Sequence, residues 1–189
     1  MEDARLVERY LKGDMDALAS LLERHRRPLM GFIYNMVGDP VETDEIFQEM
    51  WFRALRRLRE YREANFGGWL ARIARNLIID RARRRKPGVS LDAEPEAGLA
   101  LRETLASPTP NPGQRAEAAD LGARIGRAVA ELPTDLREVF LLRTQAELPF
   151  KEIAAIQAVS INTALARMQY ALNRLRKALA DDYEALARA

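Results

Sequence analysis

The 189-residue sequence contains no cysteine and a single histidine, His25. Without cysteine, the chain can form no disulfide, no catalytic thiolate and no cysteine-ligated metal site. One histidine cannot build a multi-histidine metal cluster, so we expect no metal and no other cofactor. The sequence also lacks any apolar run near the roughly 18 residues of a membrane span. Its charged N-terminus has no signal-peptide apolar core, and we therefore expect a cytoplasmic location.

The common catalytic motifs are missing as well. The sequence has no glycine-rich phosphate loop, and none of its serines lies in a nucleophile-elbow pattern. None of its acidic residues is paired with a base in a recognisable cleft motif. We therefore expect a protein that is not an enzyme, although a catalytic site without a known motif stays open at this point.

Arginine and lysine are concentrated in one part of the chain. Over the whole sequence, 30 Lys and Arg residues nearly balance 28 Asp and Glu residues, for a net charge of +2. Between Arg53 and Lys86, however, twelve basic residues stand against only three acids. Because nucleic acid responds to local charge, this segment is the strongest candidate for contact with phosphate.

Within residues 44–86, acidic, aromatic and basic residues follow one another. The segment opens with Asp44, Glu45 and Glu49 and closes with a run of arginines. The aromatic residues between these ends are Phe47, Trp51, Phe52, Tyr61, Phe66 and Trp69. A basic helix behind an aromatic-bearing loop can hold a nucleic-acid backbone and stack unpaired bases. The acidic end repels phosphate and indicates a second, basic partner, a combination that is typical of a transcription initiation factor.

Apolar residues recur at helical spacings, and strand-like alternation is not evident, so we predict an all-α fold. Gly38 is expected to end one long helix. Asp39 can cap the next helix, with Pro40 at its first position and Glu42 two residues further on.

Residues 87–114 break this helical pattern. They hold five of the nine prolines and are net acidic. Repeated proline forbids a continuous helix and favours an extended chain. The sequence therefore predicts two small helical domains, residues 1–86 and 115–189, joined by a flexible acidic linker.

The second domain has the layout of a helix-turn-helix. Pro133 is expected to end one helix, and Thr134 can cap the next. A short helix is predicted over residues 150–157, followed by a tight step and a long helix running to about Ala180. Ser160 is a favourable N-cap for this long helix, which would be the recognition helix.

Four segments of the sequence resemble those of a known protein family. LLERHRRPLMGFIYNMVGDP and DEIFQEMWFRALRRL look like the first part of region 2 of a bacterial sigma factor. GGWLARIARNLIIDRARRR resembles the sigma helix that opens and reads the −10 promoter element. LPTDLREVFLLRTQAELPFKEIAAIQAVSINTALARM is similar to sigma region 4, which binds the −35 element. In this order the motifs resemble the extracytoplasmic-function (ECF) group, which implies a polymerase subunit that directs promoter recognition.

The resemblance implies contacts with core RNA polymerase as well as with promoter DNA. In the family, the helix beginning near Asp44 docks on the clamp helices of the β′ subunit, and the β flap is a second polymerase contact. The residues that match the docking surface are Asp44, Glu45, Gln48, Glu49 and Arg53. Many family members are also restrained by an anti-sigma factor, so the resemblance adds such a protein to the candidate partners.

The loop before the basic helix matches the family loop that captures a flipped −10 base. The residues expected at the −10 element are Tyr61, Arg62, Glu63, Asn65, Phe66, Arg72, Arg75, Asn76, Arg83 and Arg84. Asn76 matches an asparagine that contacts −10 DNA, and the arginines suit phosphate. For Phe66, both base stacking and core packing stay open. Trp51 and Trp69 fall beside apolar stripes, which favours the core.

The recognition helix departs from the family pattern. Members commonly read GTVKSR or GTVRSR where this chain reads NTALAR over residues 162–167, so only Thr163 and Arg167 match. The −35 candidates are Lys151, Ser160, Asn162, Thr163, Leu165, Ala166, Arg167, Gln169 and Tyr170. The spacing of Leu165 favours core packing, with contact to a thymine methyl group as the alternative. We expect a −35 preference that differs from the common ECF element and tolerates more substitutions.

A different function stays open beside this one. The chain could be a free-standing helix-turn-helix regulator that never docks on polymerase, with its acids near residue 44 serving only the helix dipole. Gln48 and Glu49 lie beyond the first turn on the outward face, which favours docking. His25 stands among arginines and is expected to be a surface residue rather than a catalytic one.

Overall fold

The computed structural model describes residues 2–62, 65–85 and 112–180, with the backbone alone for residues 112–120. The helices in these ranges are α1 (Glu2–Leu11), α2 (Met15–Val37), α3 (Pro40–Arg57), α4 (Phe66–Arg85), α5 (Pro112–Ala130), α6 (Thr134–Thr144), α7 (Phe150–Gln157) and α8 (Ile161–Ala178). A 3-10 turn at Leu58–Glu60 follows α3. The described ranges contain no strand, and the predicted all-α fold is confirmed.

The junction between α2 and α3 is encoded locally. Gly38 ends α2 in the left-handed conformation, with φ of 77°, and its N–H donates to the Tyr34 carbonyl oxygen. Glycine adopts this conformation without the steric cost of a Cβ. The Asp39 side chain then accepts the Glu42 N–H at 2.6 Å, with Pro40 at the first helical position. The Glu42 carboxylate itself accepts a hydrogen bond from Arg85 at 2.8 Å, so it links α3 to α4 instead of completing a capping box.

The N-terminal helices α1 to α4 pack around one apolar core. Its fully buried large side chains are Leu21, Leu29, Phe32, Ile33, Ile46, Met50, Leu58, Phe66 and Leu70. Burial of a side chain of this size contributes about 1.5–3 kcal/mol. These residues include members of the apolar stripes that predicted the helices, and most outward positions of α3 and α4 carry polar or charged groups.

The C-terminal helices form the predicted helix-turn-helix. Helix α7 ends at Ala158, a left-handed residue with φ of 55°. Ser160 caps α8, because its Oγ accepts the Thr163 N–H at 3.1 Å. The prediction for Thr134 was wrong: this residue is already helical, and Pro133 precedes α6 without a side-chain cap. The Pro133 carbonyl oxygen accepts the first turn's Arg137 N–H at 2.8 Å.

The two groups of helices pack against each other. Helix α2 contacts both α5 and α6. Residues 87–111 of the predicted linker lie outside the described residues. Helix α5 begins at Pro112, so the last three residues assigned to the linker are helical. Proline suits the first position of a helix because its missing N–H would have no partner there.

Candidate nucleic-acid interface

The outward face of α3 carries the residues predicted to meet a basic partner. The exposed or half-exposed residues Asp44, Glu45, Gln48 and Glu49 form what we call the acidic face of α3. Arg53, also exposed, adjoins this face. Glu45 accepts a hydrogen bond from Arg81 of α4 at 2.7 Å, and Glu49 accepts one from Arg53 at 2.8 Å. Side chains of Glu45 and Glu49 are 60% and 44% exposed. Ion pairs this exposed contribute only about 0–1 kcal/mol, so a partner's basic groups can replace them at little cost.

Helix α4 turns basic and polar side chains away from the core. Arg83, Arg84 and Asn76 are exposed, as a surface that meets nucleic acid requires. Arg72 is half-buried. Arg75 is engaged: its Nε donates to Oε1 of Glu138 on α6, and 22% of its side chain is exposed. The predicted −10 arginines are therefore of two kinds, those that are accessible and one that is held by the C-terminal helices.

A groove of about 300 Å³ separates α3 from α4. Its lining residues, which define the α3–α4 groove, are Arg53, Arg56, Arg57, Ile73 and Asn76. Three guanidinium groups beside an amide have the chemistry to bind an anion that carries a hydrogen-bonding group. Arg56 and Arg57 were missing from the predicted site residues. The signal was present, because positions 53, 56 and 57 share one helical face.

Phe66, which the sequence left open between two roles, is a core residue. Only 1% of it is exposed, so it cannot stack on a base in this conformation. Its ring lies among those of His25, Trp51, Tyr61 and Trp69, with centroid separations from 5.3 to 6.2 Å, and these five residues form the aromatic cluster. Trp51 and Trp69 also pack with the core, as expected.

The residues before α4 have structural roles that sequence reasoning did not assign. Asn65 begins α4, because its Oδ1 accepts the Gly68 N–H at 3.1 Å. Arg62 donates to the carbonyl oxygens of Arg59 and Tyr61, both at 2.8 Å. Tyr61 is half-buried. Glu63 lies outside the described residues.

His25 belongs to the aromatic cluster and is not the surface residue expected from its arginine neighbours. Its side chain is 13% exposed, and its Nε2 lies 3.0 Å from a carboxylate oxygen of Asp3. Burial lowers the pKa of His25 below its usual value, and the Asp3 carboxylate opposes that shift. The neutral imidazole is therefore favoured in the folded protein.

Helix α8 presents a mixed face of polar, small and large apolar side chains to solvent. The exposed −35 candidates in and around it are Lys151, Ser160, Asn162, Thr163, Leu165, Ala166, Gln169 and Tyr170. Leu165 was expected to favour the core but is 41% exposed. Ala164 and Ala171 occupy the buried side instead, each at 0%. Small side chains allow α8 to approach α6 and α7 closely, and Leu165 is turned outward beside the polar candidates.

Arg167, the candidate that matches the family arginine, is held by its own domain. Its Nε lies 3.2 Å from a carboxylate oxygen of Asp135, and its Nη1 donates to Gln157 Oε1 at 3.1 Å. The side chain is 26% exposed. These contacts orient the guanidinium group and leave part of it at the surface.

Comparison with protein families matches residues 21–87 to Sigma-70 region 2 and residues 122–178 to Sigma-70 region 4. The ECF RNA polymerase sigma factor SigW of Bacillus subtilis (strain 168) is 31% identical over 178 residues, which cover 93% of this chain and 95% of that protein. The chain belongs to the ECF group of sigma factors. The ECF RNA polymerase sigma-E factor of Escherichia coli (strain K12) is 30% identical over 197 residues and covers 100% of this chain.

Two solved structures share the fold of this ECF sigma factor. One is the sigma factor RpoE in complex with the anti-sigma factor NepR from Bartonella quintana, at 19% identity and a TM-score of 0.65 over 86% of this chain and 96% of that one. The other is CnrH in complex with the cytosolic domain of CnrY, at 21% identity and a TM-score of 0.66. That match covers 96% of this chain and 99% of CnrH.

As an ECF sigma factor, the protein is a transcription initiation factor that acts with RNA polymerase and promoter DNA. Its family is one of initiation factors rather than enzymes. Among the residues that the structure describes, no helix has the length and apolar character needed to cross a membrane. In the same ranges, no three histidine, cysteine, aspartate or glutamate side chains are grouped as metal ligands would be.

Proposed function

We propose that this ECF sigma factor docks on the β′ clamp helices of core RNA polymerase through the acidic face of α3 and Arg53. The observation that carries the proposal is the α3–α4 groove, where Arg53 and Asn76 line one site. A docked polymerase and a bound −10 strand would therefore meet along the same pair of helices. The weak, exposed ion pairs of Glu45 and Glu49 suit a surface that exchanges its own partners for those of another protein.

At the −10 element, the groove supplies both parts of nucleotide recognition. Arg56, Arg57 and Asn76 line the same groove, and we infer that the two arginines hold a backbone phosphate while the Asn76 amide hydrogen-bonds with a base edge. Arg83 and Arg84 extend the basic surface along α4. Flipping a base costs a few kcal/mol, which these contacts must offset. Since Phe66 is buried, Tyr61 is the better candidate for stacking on an unpaired base.

At the −35 element, α8 is proposed to enter the major groove with its outward face. The amides of Asn162 and Gln169 can hydrogen-bond with base edges, and Leu165 can contact a thymine methyl group. Lys151 and Tyr170 lie at positions suited to the DNA backbone. Few charged side chains that could contact base edges face outward here, which supports a −35 preference that tolerates substitutions.

The proposed functions are divided between the two groups of helices. Residues 1–86 are proposed to form the docking and −10 domain, and residues 115–189 the −35 domain, which also meets the β flap. An anti-sigma factor is a further proposed partner, because one solved relative of the same fold is bound to an anti-sigma factor. The site of action would be the cytoplasm, where core polymerase works.

Reconstitution with core RNA polymerase tests the docking proposal. The purified chain should bind core polymerase in the absence of DNA, and the complex should initiate from members of a promoter library. Binding to duplex DNA by a chain that never associates with core polymerase would instead indicate the free-standing regulator. The comparisons give that second function no support.

A further inference from the structure

The contact between Arg75 and Glu138 joins the two groups of helices through buried charge. Only 7% of the Glu138 side chain is exposed, and its Oε1 accepts a hydrogen bond from Arg75 Nε. Its Oε2 accepts a second hydrogen bond from Gln157 Nε2 at 2.8 Å. A carboxylate buried this deeply depends on such partners, because desolvation without them is costly. The pair therefore holds α4 against α6.

The same contact continues to the recognition helix. Gln157 Oε1 accepts a hydrogen bond from Arg167 Nη1 at 3.1 Å, and Gln157 Nε2 donates one to Glu138 Oε2. Asp135 binds the other side of Arg167 at 3.2 Å. An unbroken polar path thus runs from Arg75, a −10 candidate, through Glu138 and Gln157 to Arg167, a −35 candidate.

A second acid of the C-terminal helices lies at the N-terminus of α4. A Cβ placed on Gly68 would overlap a carboxylate oxygen of Glu152 on α7, so this carboxylate lies directly against the first turn of α4. The same Cβ would lie 3.4 Å from Leu148 Cδ2, which shows that the surfaces are closely packed. Backbone N–H groups and the helix dipole make this position favourable for an anion.

We propose that Glu138 and Glu152, here called the interdomain acids, are internal competitors of −10 DNA. The inference rests on the proposed function, since it takes α4 to be the −10 helix. Each acid occupies a place that suits a phosphate: one on the Arg75 guanidinium, the other at the N-terminus of α4. The C-terminal helices therefore cover part of the −10 surface when the free protein is closed, and α4 must release both acids before it can bind a strand there.

The competition has a measurable consequence. The apparent affinity for DNA equals the affinity of the open state multiplied by the fraction of molecules that are open. If roughly nine in ten molecules are closed, removing the interdomain acids raises the apparent affinity of the free protein for single-stranded DNA about tenfold. The proposal predicts that, wherever docking on core polymerase separates α4 from α6 and α7, the acids contribute much less to DNA affinity in the holoenzyme than in the free protein.

The test uses the full chain with Glu138→Gln and Glu152→Gln together. The probe is a fluorescein-labelled single-stranded DNA of random sequence, titrated by anisotropy, and the radius of gyration is measured by X-ray scattering. Neutralising two acids also raises the net charge, which strengthens DNA binding by itself. Glu131→Gln with Glu147→Gln is the matched control, because both residues are exposed on the same group of helices. Glu152→Gln alone is the second variant if the buried Glu138 change lowers stability.

The competitor variant should bind the probe about tenfold more tightly than the control variant and should be more extended. Glu152→Gln alone should shift both measurements in the same direction by less. Equal affinity and equal dimensions for competitor and control variants would overturn the proposal. Binding to core polymerase is measured in parallel. If neither the wild type nor any variant binds core polymerase, the proposed function itself is refuted. If all bind core polymerase but the variants do not differ in DNA affinity or dimensions, only the competition is refuted.

Discussion

Glu45 on α3 and Arg81 on α4 are joined by a hydrogen bond of 2.7 Å that spans the two helices proposed to meet polymerase and DNA. The bond places an acidic residue of the docking surface directly beside a basic residue of the proposed −10 helix. Because the Glu45 side chain is 60% exposed, the pair contributes little to stability and is open to exchange. The surface is therefore suited to partners rather than to holding the fold.

Charge reversal on α3 should weaken polymerase binding. Glu45→Lys with Glu49→Lys removes two acids that would face a basic partner and introduces repulsion in their place. We expect at least about a tenfold loss of affinity for core polymerase, with the larger part in the association rate at low salt. Surface plasmon resonance with immobilised core polymerase measures both. Glu23→Lys with Glu131→Lys makes the same charge change on other exposed positions and should leave binding near the wild-type value.

The α3–α4 groove should separate phosphate binding from base reading. Arg56→Ala and Arg57→Ala are each expected to weaken binding across sequences and to reduce the salt slope by about one. Asn76→Ala should leave the slope unchanged and relax the base preference, at a cost of about 1–3 kcal/mol. Titrations of −10 oligonucleotides at several salt concentrations measure these effects. Arg5→Ala, at an exposed position on α1, serves as the control. A base preference altered by Arg56→Ala but kept in Asn76→Ala would reverse the assignment.

Phe66 should matter for stability rather than for DNA contact. Its substitution by alanine removes a buried ring from the aromatic cluster, and the expected loss is about 3–5 kcal/mol in the free energy of unfolding. Urea denaturation followed by circular dichroism measures this loss. Tyr61→Ala, at the half-buried edge of the cluster, should cost less and should reduce open-complex formation. Wild-type stability in Phe66→Ala together with lost −10 binding would return Phe66 to the interface.

Leu165 and Leu175 provide a matched pair on α8. Leu165→Ala removes a side chain that is 41% exposed and should change stability by less than about 0.5 kcal/mol. Leu175→Ala removes a side chain that is 7% exposed and should cost about 2–5 kcal/mol. Transcription from a −35 saturation library should show that Leu165→Ala relaxes one position, while the wild type already tolerates most others. A sharp requirement at every −35 position of the wild type would show that NTALAR reads DNA as well as the usual motif.

His25 should make stability depend on pH in a defined direction. Its folded-state pKa lies below the ordinary value of 6.5, so the folded protein binds the proton less readily than the unfolded chain. The contribution of neutral His25 to the free energy of unfolding is fully present above pH 6.5, and it is lost as the pH falls below that value toward the folded-state pKa. His25→Gln should remove this slope, since the chain has one histidine. Urea midpoints measured from pH 7.5 down to about 5, above the usual range of carboxyl titration, provide the check. A midpoint that is constant over this range in the wild type would contradict the burial argument.

The sequence alone determined those features that depend on neighbours along the chain. Gly38, Asp39 and Ser160 act within a few residues through backbone conformation and capping hydrogen bonds, so their roles follow from residue type and spacing. The helix over residues 150–157 and the helix-turn-helix layout were predicted for the same reason. Helical spacing also indicated the outward acidic face of α3.

The tertiary structure decided what each side chain meets across the fold. Phe66 is buried because rings from α2, α3 and the following turn converge on it. On α8, Ala164 meets the core and its neighbour Leu165 faces solvent. Arg75 and Glu138 lie 63 positions apart, and spacing along the chain carries no information about such a pair. Periodicity identifies which residues share a helix face; only the packing of the helices determines whether that face meets the core, solvent or another charged group.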